Sequence, residues 1–254
     1  MKPIVTILSL VFGLAFATAP GPDPVQTAFD KLVDAATKTD WPAESAARKE
    51  LTTLGPKALP KLTDAAQSHA EVRVRRACYE LLTGPFANDP TAIDTAIQFG
   101  LHDQDAKIRY ECAFLLGDLK VHRAAGPLRA ALDAATGNDA EFLRFTLSKS
   151  LAQLGEGDVL PTLFAAVSDD SYMARYVGNI GLKALSGKNL EDFEGYHYPE
   201  GAYVIGGQEL ATGFDAIAAA EKKVERFRAA TAYFKWLKSE RPELYKYATY
   251  RTRR

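Results

Sequence analysis

Asp103 and Asp105 stand just ahead of Arg109 in the stretch DQDAKIRYECAFLLGDLK, residues 103 to 120. Two carboxylates beside a guanidinium have the composition of an acid/base or ligand-binding cluster. They equally have the composition of a structural brace whose charges neutralise one another. Whether the pattern occurs once or several times separates the two. Other residues able to do chemistry are sparse. Histidines 69, 102, 122 and 197 are scattered. His69 and His102 are expected at turns inside successive helical hairpins, with Asp103 nearby, yet no third ligand stands at a metal-site spacing. Cys78 and Cys112 are the two cysteines. There is no Gly-rich phosphate loop, no HExxH, no CxxC and no GxSxG. The expectation is therefore a chain with no catalytic set, no metal and no cofactor.

The elements that position these residues repeat. Arg75, Arg109, Arg144 and Arg175 lie 34, 35 and 31 residues apart. Val74, Ile108, Leu143 and Ala174 precede them. Cys78, Cys112, Leu147 and Gly178 follow at +3, and Leu82, Leu116, Leu151 and Leu182 at +7. Leu119, Leu154 and Leu185 follow at +10 in the last three repeats. Offsets −1, +3, +7 and +10 share one helix face, so each arginine opens an amphipathic helix. A second helix is expected before each, over 57–67, 90–101, 122–135 and 158–167, with Pro60, Pro90, Pro127 and Pro161 near their starts. Upstream, Asp23-Pro24 reads as an N-cap with proline at N1. Val25, Ala28, Phe29, Leu32, Val33 and Ala36 then trace an apolar stripe, and 42–54 completes a degenerate first pair. The fold class expected is all-α, an α-solenoid of about five antiparallel helical hairpins with a C-terminal capping helix.

Over about residues 41 to 187 the pattern resembles HEAT repeats, or the related HEAT-like repeats of phycobilin lyases. The resemblance rests on the D-x-D-x-x-(I/V)-R opening, seen best as Asp103, Asp105, Ile108 and Arg109. Asp169 stands before Arg175 as Asp103 stands before Arg109, while Asn138 and His69 hold that place before Arg144 and Arg75. The resemblance implies that Asp103, Arg109, Asp169 and Arg175 form a hydrogen-bonded ladder between neighbouring repeats. It implies nothing specific about function, because the scaffold hosts many roles. Equivalent residues of stacked repeats point the same way about a helix spacing apart, ~8–10 Å. That is too far for a disulfide, so Cys78 and Cys112 are expected as small buried thiols.

One residue after each arginine stand Arg76, Tyr110, Phe145 and Tyr176, and at +5 stand Phe114 and Ile180. These offsets face away from the core offsets. In stacked repeats they are expected to form a row along the concave surface, which is a contact surface for a protein or peptide partner. The alternative is that the chain covers the row itself. After Gly187 the repeat stops. Phe193, Tyr196, His197, Tyr198 and Tyr203 crowd beside Glu191, Asp192 and Glu194, a weak candidate for a ligand loop over 193–203. Residues 214 to 240 then read as one long helix, broken by Pro242, before a basic tail. This helix either caps the last hairpin or folds back into the groove. Tyr233-Phe234-Lys235-Trp236-Leu237 is similar to the Trp-bearing tail of some exported HEAT-repeat proteins.

At the other end, Lys2 and the short apolar run from Ile4 to Phe16 read as a signal peptide over 1–17, with Thr18 as first mature residue. Cleavage after Ala19 fits the small-x-small rule too. The run is shorter than the ~20 residues of a spanning helix. The chain of 254 residues is 47% hydrophobic and 25% charged with a net charge of −1, so no global field draws it to nucleic acid or acidic lipid. The composite expectation is an exported, periplasmic or secreted monomer without an integral membrane segment. It acts as a non-catalytic scaffold that binds a partner on its concave face. Alternatives are a lyase- or isomerase-like accessory protein handling a small ligand or chromophore, and a glycan- or wall-associated module using the 193–203 loop.

Overall fold

Local chemistry starts many of the helices. Asp23, Asp40, Asp89 and Asp105 turn a carboxylate oxygen back onto the backbone N–H groups of Val25, Ala43, Thr91 and Ile108, at 3.0, 3.1, 2.8 and 3.2 Å. Ser171 does the same for Ala174. Such caps satisfy amide donors that the first helical turn leaves orphaned. Pro24, Pro42, Pro60, Pro90 and Pro161 occupy first-turn positions, where a missing N–H costs nothing.

The computed structural model describes residues 23–137, 140–169, 171–193 and 216–248, with side chains omitted for 216–227. The helices are α1 (Pro24–Lys38), α2 (Trp41–Leu54), α3 (Leu59–Ser68), α4 (Val72–Thr83), α5 (Pro90–Gln98) and α6 (Ala106–Asp118). They continue as α7 (Ala125–Ala134), α8 (Glu141–Gln153), α9 (Leu160–Ser168), α10 (Tyr172–Ser186), α11 (Ala216–Glu240) and α12 (Pro242–Ala248). Among the described residues there is no strand, and no helix is long and apolar enough to cross a membrane. The expected segment 1–17, Asn138, Tyr196, His197, Tyr198 and the tail beyond Ala248 lie outside the described residues. Pro242 ends α11 as its sequence position implies, but it also opens α12, because proline suits N1 as well as it breaks a helix interior.

Helices packed in sequence order, α1 on α2, α3 on α4, α7 on α8 and α9 on α10, are joined sideways by contacts of α4 with α6, α6 with α8, and α8 with α10. The periodic core offsets sit inside. Val74, Ile108, Cys78, Cys112, Leu147, Leu116, Leu151 and Leu182 are all fully buried. Each buried leucine contributes roughly 1.5–3 kcal/mol. One continuous apolar cluster runs from Ala28 of α1 to Leu244 of α12. Leu119 departs from the expected row. It lies just past the end of α6 and is exposed, whereas Leu154 and Leu185 are buried.

The sideways contacts are unequal. α6 approaches α8 more closely than it approaches α4. Ala113, Gly117 and Ser150 make the close approach possible. The Ser150 hydroxyl donates to the Ala113 carbonyl at 2.6 Å, and a Cβ on Gly117 would fall 2.7 Å from Ser150. Between α4 and α6 stand the charged pairs of Arg76 with Asp105 and Lys107 with Glu80 instead.

Candidate functional site

The bracing between α4 and α6 is ionic. Arg75 grips Asp103 with two parallel hydrogen bonds, Nε to Oδ2 at 2.8 Å and Nη2 to Oδ1 at 3.0 Å. Beside it Arg76 grips Asp105 in the same two-pronged way. Lys107 reaches back to Glu80 at 2.9 Å, and Glu80 also meets Arg48, which meets Glu44. The alternating charges thus run from α2 through α4 to α6.

The resemblance implies that these acids and arginines form a ladder between neighbouring repeats. The Asp103 carboxylate serves Arg75 of the preceding repeat. Arg109 donates from Nη1 to the backbone carbonyls of Asp103 and Gln104, at 2.6 and 2.9 Å. The other arginines do likewise: Arg75 to His69 O at 3.0 Å, Arg144 to Gly137 O at 2.8 Å, and Arg175 to Asp169 O at 2.9 Å. A backbone acceptor does not depend on side-chain identity, which is why His69 can stand where Asp103 and Asp169 stand. The side chains at this place share a second task. His69 Nδ1, Asp103 Oδ1 and Asp169 Oδ1 each accept the N–H two residues on, from Glu71, Asp105 and Ser171, at 3.1, 2.7 and 2.7 Å. They form the turn that leads into the next helix.

Above this brace lies a groove of about 450 Å³. Its lining is Glu80, Thr83 and Gly84 from the end of α4, Ala87 beyond it, and Tyr110, Glu111, Phe114, Leu115, Asp118 and Leu119 from α6. Tyr110 and Phe114, expected on the concave row, are both half-buried here. The Tyr110 ring meets Phe142 edge to face, with centroids 5.8 Å apart. The row does not continue as a line. Arg76 is engaged with Asp105, and Phe145 is 4% exposed rather than open, packed with Ala166, Ala174 and Val177. The small alanines let α8, α9 and α10 close over the ring. Tyr176, 41% exposed, is displayed on α10 beside exposed Met173 and stacks with Tyr172 at 6.4 Å.

Charges at the groove are shifted by burial. Burial pushes Glu80 up, but the hydrogen bond from Lys107 and the charge of Arg48 outweigh it, and its pKa is lowered. Glu111 ends the other way. Burial raises its pKa, Lys107 at 3.7 Å opposes, and Glu80 adds to the rise. One Glu111 carboxylate oxygen, Oε2, is buried without a hydrogen-bond partner. Asp105 is held below the usual carboxylate range by Arg76.

Sequence reasoning passed over Lys149. It stands at +5 from Arg144, the offset of Glu80, Phe114 and Ile180, so the alignment that found Phe114 also points to it. Its side chain is 1% exposed, pairs with Asp118, and sets its ammonium 4.0 Å from the centroid of the Phe114 ring. Burial lowers its pKa against the pull of Asp118. Glu111 and Asp118, at +2 and +9 from Arg109, carried no repeating signal.

Cys78 and Cys112 are both buried and unbridged, with burial pushing the Cys78 thiol up to about 12. Among the described residues no group of three His, Cys, Asp or Glu is placed to hold a metal ion. At the far end, α11 and α12 pack on α9 and the C-terminus of α10. Tyr233 and Leu237 are fully buried, and Phe164 stacks on Phe234 at 4.1 Å. Arg241 donates to the carbonyls of Ser186 and Leu185 at 2.9 and 3.2 Å, and the Tyr233 and Ser186 hydroxyls are 2.7 Å apart. Phe193, the described part of the ring-rich loop, packs against Tyr233 and Trp236. Compared with known protein families and with curated proteins, the chain matches no family model and no curated sequence.

Proposed function

We propose that this chain is an exported, non-catalytic binding protein. Its helices stack as a HEAT-like solenoid, and its partner is a protein segment that docks across α4 and α6. The groove carries the reading. It combines an apolar floor of Phe114, Leu115 and Leu119 with three carboxylates in about 450 Å³. That volume is within the ~300–1,000 Å³ of sites that enclose small ligands or short segments. The aromatic patch of Tyr172, Met173 and Tyr176 offers a second contact on the same series of helices. Among the described residues, α11 and α12 pack mainly against the last hairpin, away from the residues that line the groove.

A photo-crosslinking residue in place of Tyr110 tests this in the cells that export the protein. The comparison is the same residue at Ala130, an exposed position on α7. Position 110 is expected to yield a discrete crosslinked protein that position 130 does not, and charge introduced at Tyr176 is expected to reduce it. Identical products from both positions would refute a dedicated binding face.

A further inference from the structure

The groove has a charge pattern as well as a shape. Of its ten lining residues three are carboxylates, Glu80, Glu111 and Asp118, and none is a base. The bases around the rim are already committed. Arg48 and Lys107 face Glu80, Arg76 faces Asp105, and Lys149 faces Asp118. Glu111 is left with least. Lys107 reaches one of its oxygens only at 3.7 Å, and the other is buried with no hydrogen-bond donor.

Two further features act in the same direction. α4 ends at Thr83 and α6 at Asp118, so both helix C-termini, the negative ends of their dipoles, meet at this groove. Tyr110 and Phe114 place aromatic rings in the same lining as the acids. Phe114 already holds a cation, Lys149, against its ring from within the protein. Leu115, Leu119 and Ala87 supply an apolar wall next to the charged one.

Resting on the proposed binding function, we infer that the segment taken by the groove is basic and amphipathic: an extended stretch of partner protein whose arginine lies over Glu111, with a flanking apolar side chain against Phe114, Leu115 and Leu119. Arginine fits better than lysine. Its planar fork can bind a carboxylate through two hydrogen bonds while its face lies against an aromatic ring.

The probe is a fluorescein-labelled hexapeptide of alternating leucine and arginine. Its control carries citrulline for arginine, which keeps the shape and removes the charge. Binding to the full chain is read by anisotropy at low and physiological salt. The methyl NMR signals of Leu115 and Leu119 report the place of binding. The arginine peptide is expected to bind about tenfold more tightly than the citrulline peptide, a factor worth 1.4 kcal/mol. It should shift both methyl signals, and Glu111→Gln should remove most of the preference. Ala87→Arg, which places a cation in the groove, should weaken arginine binding while the chain remains folded by circular dichroism. Equal binding of the two peptides would overturn the cation preference and leave the groove as an apolar site. Binding that leaves the Leu115 and Leu119 signals unmoved, or no binding at all, would also overturn it. The crosslinking comparison of positions 110 and 130 would still decide the broader reading.

Discussion

The Arg75–Asp103 pair and the Arg109–Asp103 contact look alike in sequence, but the structure separates them energetically. Arg75 binds the Asp103 carboxylate through two hydrogen bonds, with side chains 13% and 8% exposed. Breaking a buried pair by removing one partner costs about 3–5 kcal/mol. Arg75 retains the His69 and Ala70 carbonyls when Asp103 is removed, and neither partner is wholly dry. The expected loss for Asp103→Ala is therefore nearer ~2–3 kcal/mol. Arg109 touches Asp103 only through the backbone carbonyl, which Asp103→Ala leaves in place. A pair of double-mutant cycles resolves the two contacts. Arg75→Met with Asp103→Ala should show a coupling of about 2 kcal/mol, and Arg109→Met with Asp103→Ala less than ~0.5 kcal/mol. Urea unfolding followed by circular dichroism is the assay, accepted where the slope with denaturant stays constant across variants. Coupling larger for Arg109 than for Arg75 would refute the assignment of the brace to neighbouring repeats.

Three further outcomes follow. Lys149→Met should stabilise the chain by about 1 kcal/mol in urea unfolding at neutral pH, because it removes a buried ammonium and leaves Asp118 with 57% of its side chain exposed; a loss of more than that amount would show the ion pair to be net stabilising. Glu111→Gln should be more stable than the parent at pH 7, an advantage that closes as pH falls. An acid whose folded pKa is raised burdens the fold while ionised and is relieved on protonation, whereas Asp105, held low by Arg76, withdraws its stabilisation as pH falls through the usual aspartate range and below. A pH-independent difference would contradict this. Finally, a thiol reagent should modify neither Cys78 nor Cys112 in the folded chain and both after denaturation, since both are buried and free; fast labelling of either without denaturant would refute the burial.

What sequence made legible was periodic. The −1, +3 and +7 offsets found Val74, Ile108, Cys112, Leu116 and Leu151, and all of them are buried. Asp23-Pro24 and Asp89-Pro90 marked helix starts, because capping is a local event between residues two apart. The open row at +1 was legible as a face but not as an exposure. Whether a face is open depends on how closely the next helix stands, and that depends on side chains elsewhere. Phe145 is covered because Ala166 and Ala174 let α9 and α10 approach. Tyr110 is half-open beside the charged pairs of Arg76, Glu80 and Lys107, which the +1 alignment does not read. Lys149 was hidden for a related reason. Only the close packing of α8 between α6 and α10 turns an ordinary helical lysine into a buried one.

Lys149 and Glu111 are side chains whose charged forms the fold disfavours, and both are neighbours of Phe114 or of the groove it lines. A sequence under selection for stability alone would place apolar residues there, as it does at −1, +3 and +7 in the same helices. Lys149 fixes the Phe114 ring from one side and ties down Asp118. Glu111 keeps an acceptor unspent on the other side. The long ionic struts between α4 and α6 complete the arrangement, since shorter residues such as Gly117 and Ser150 at this junction would have closed the gap as they do between α6 and α8. Glu111 and Lys149 place two of these departures beside an acidic, aromatic-lined groove, as the proposed binding reading expects.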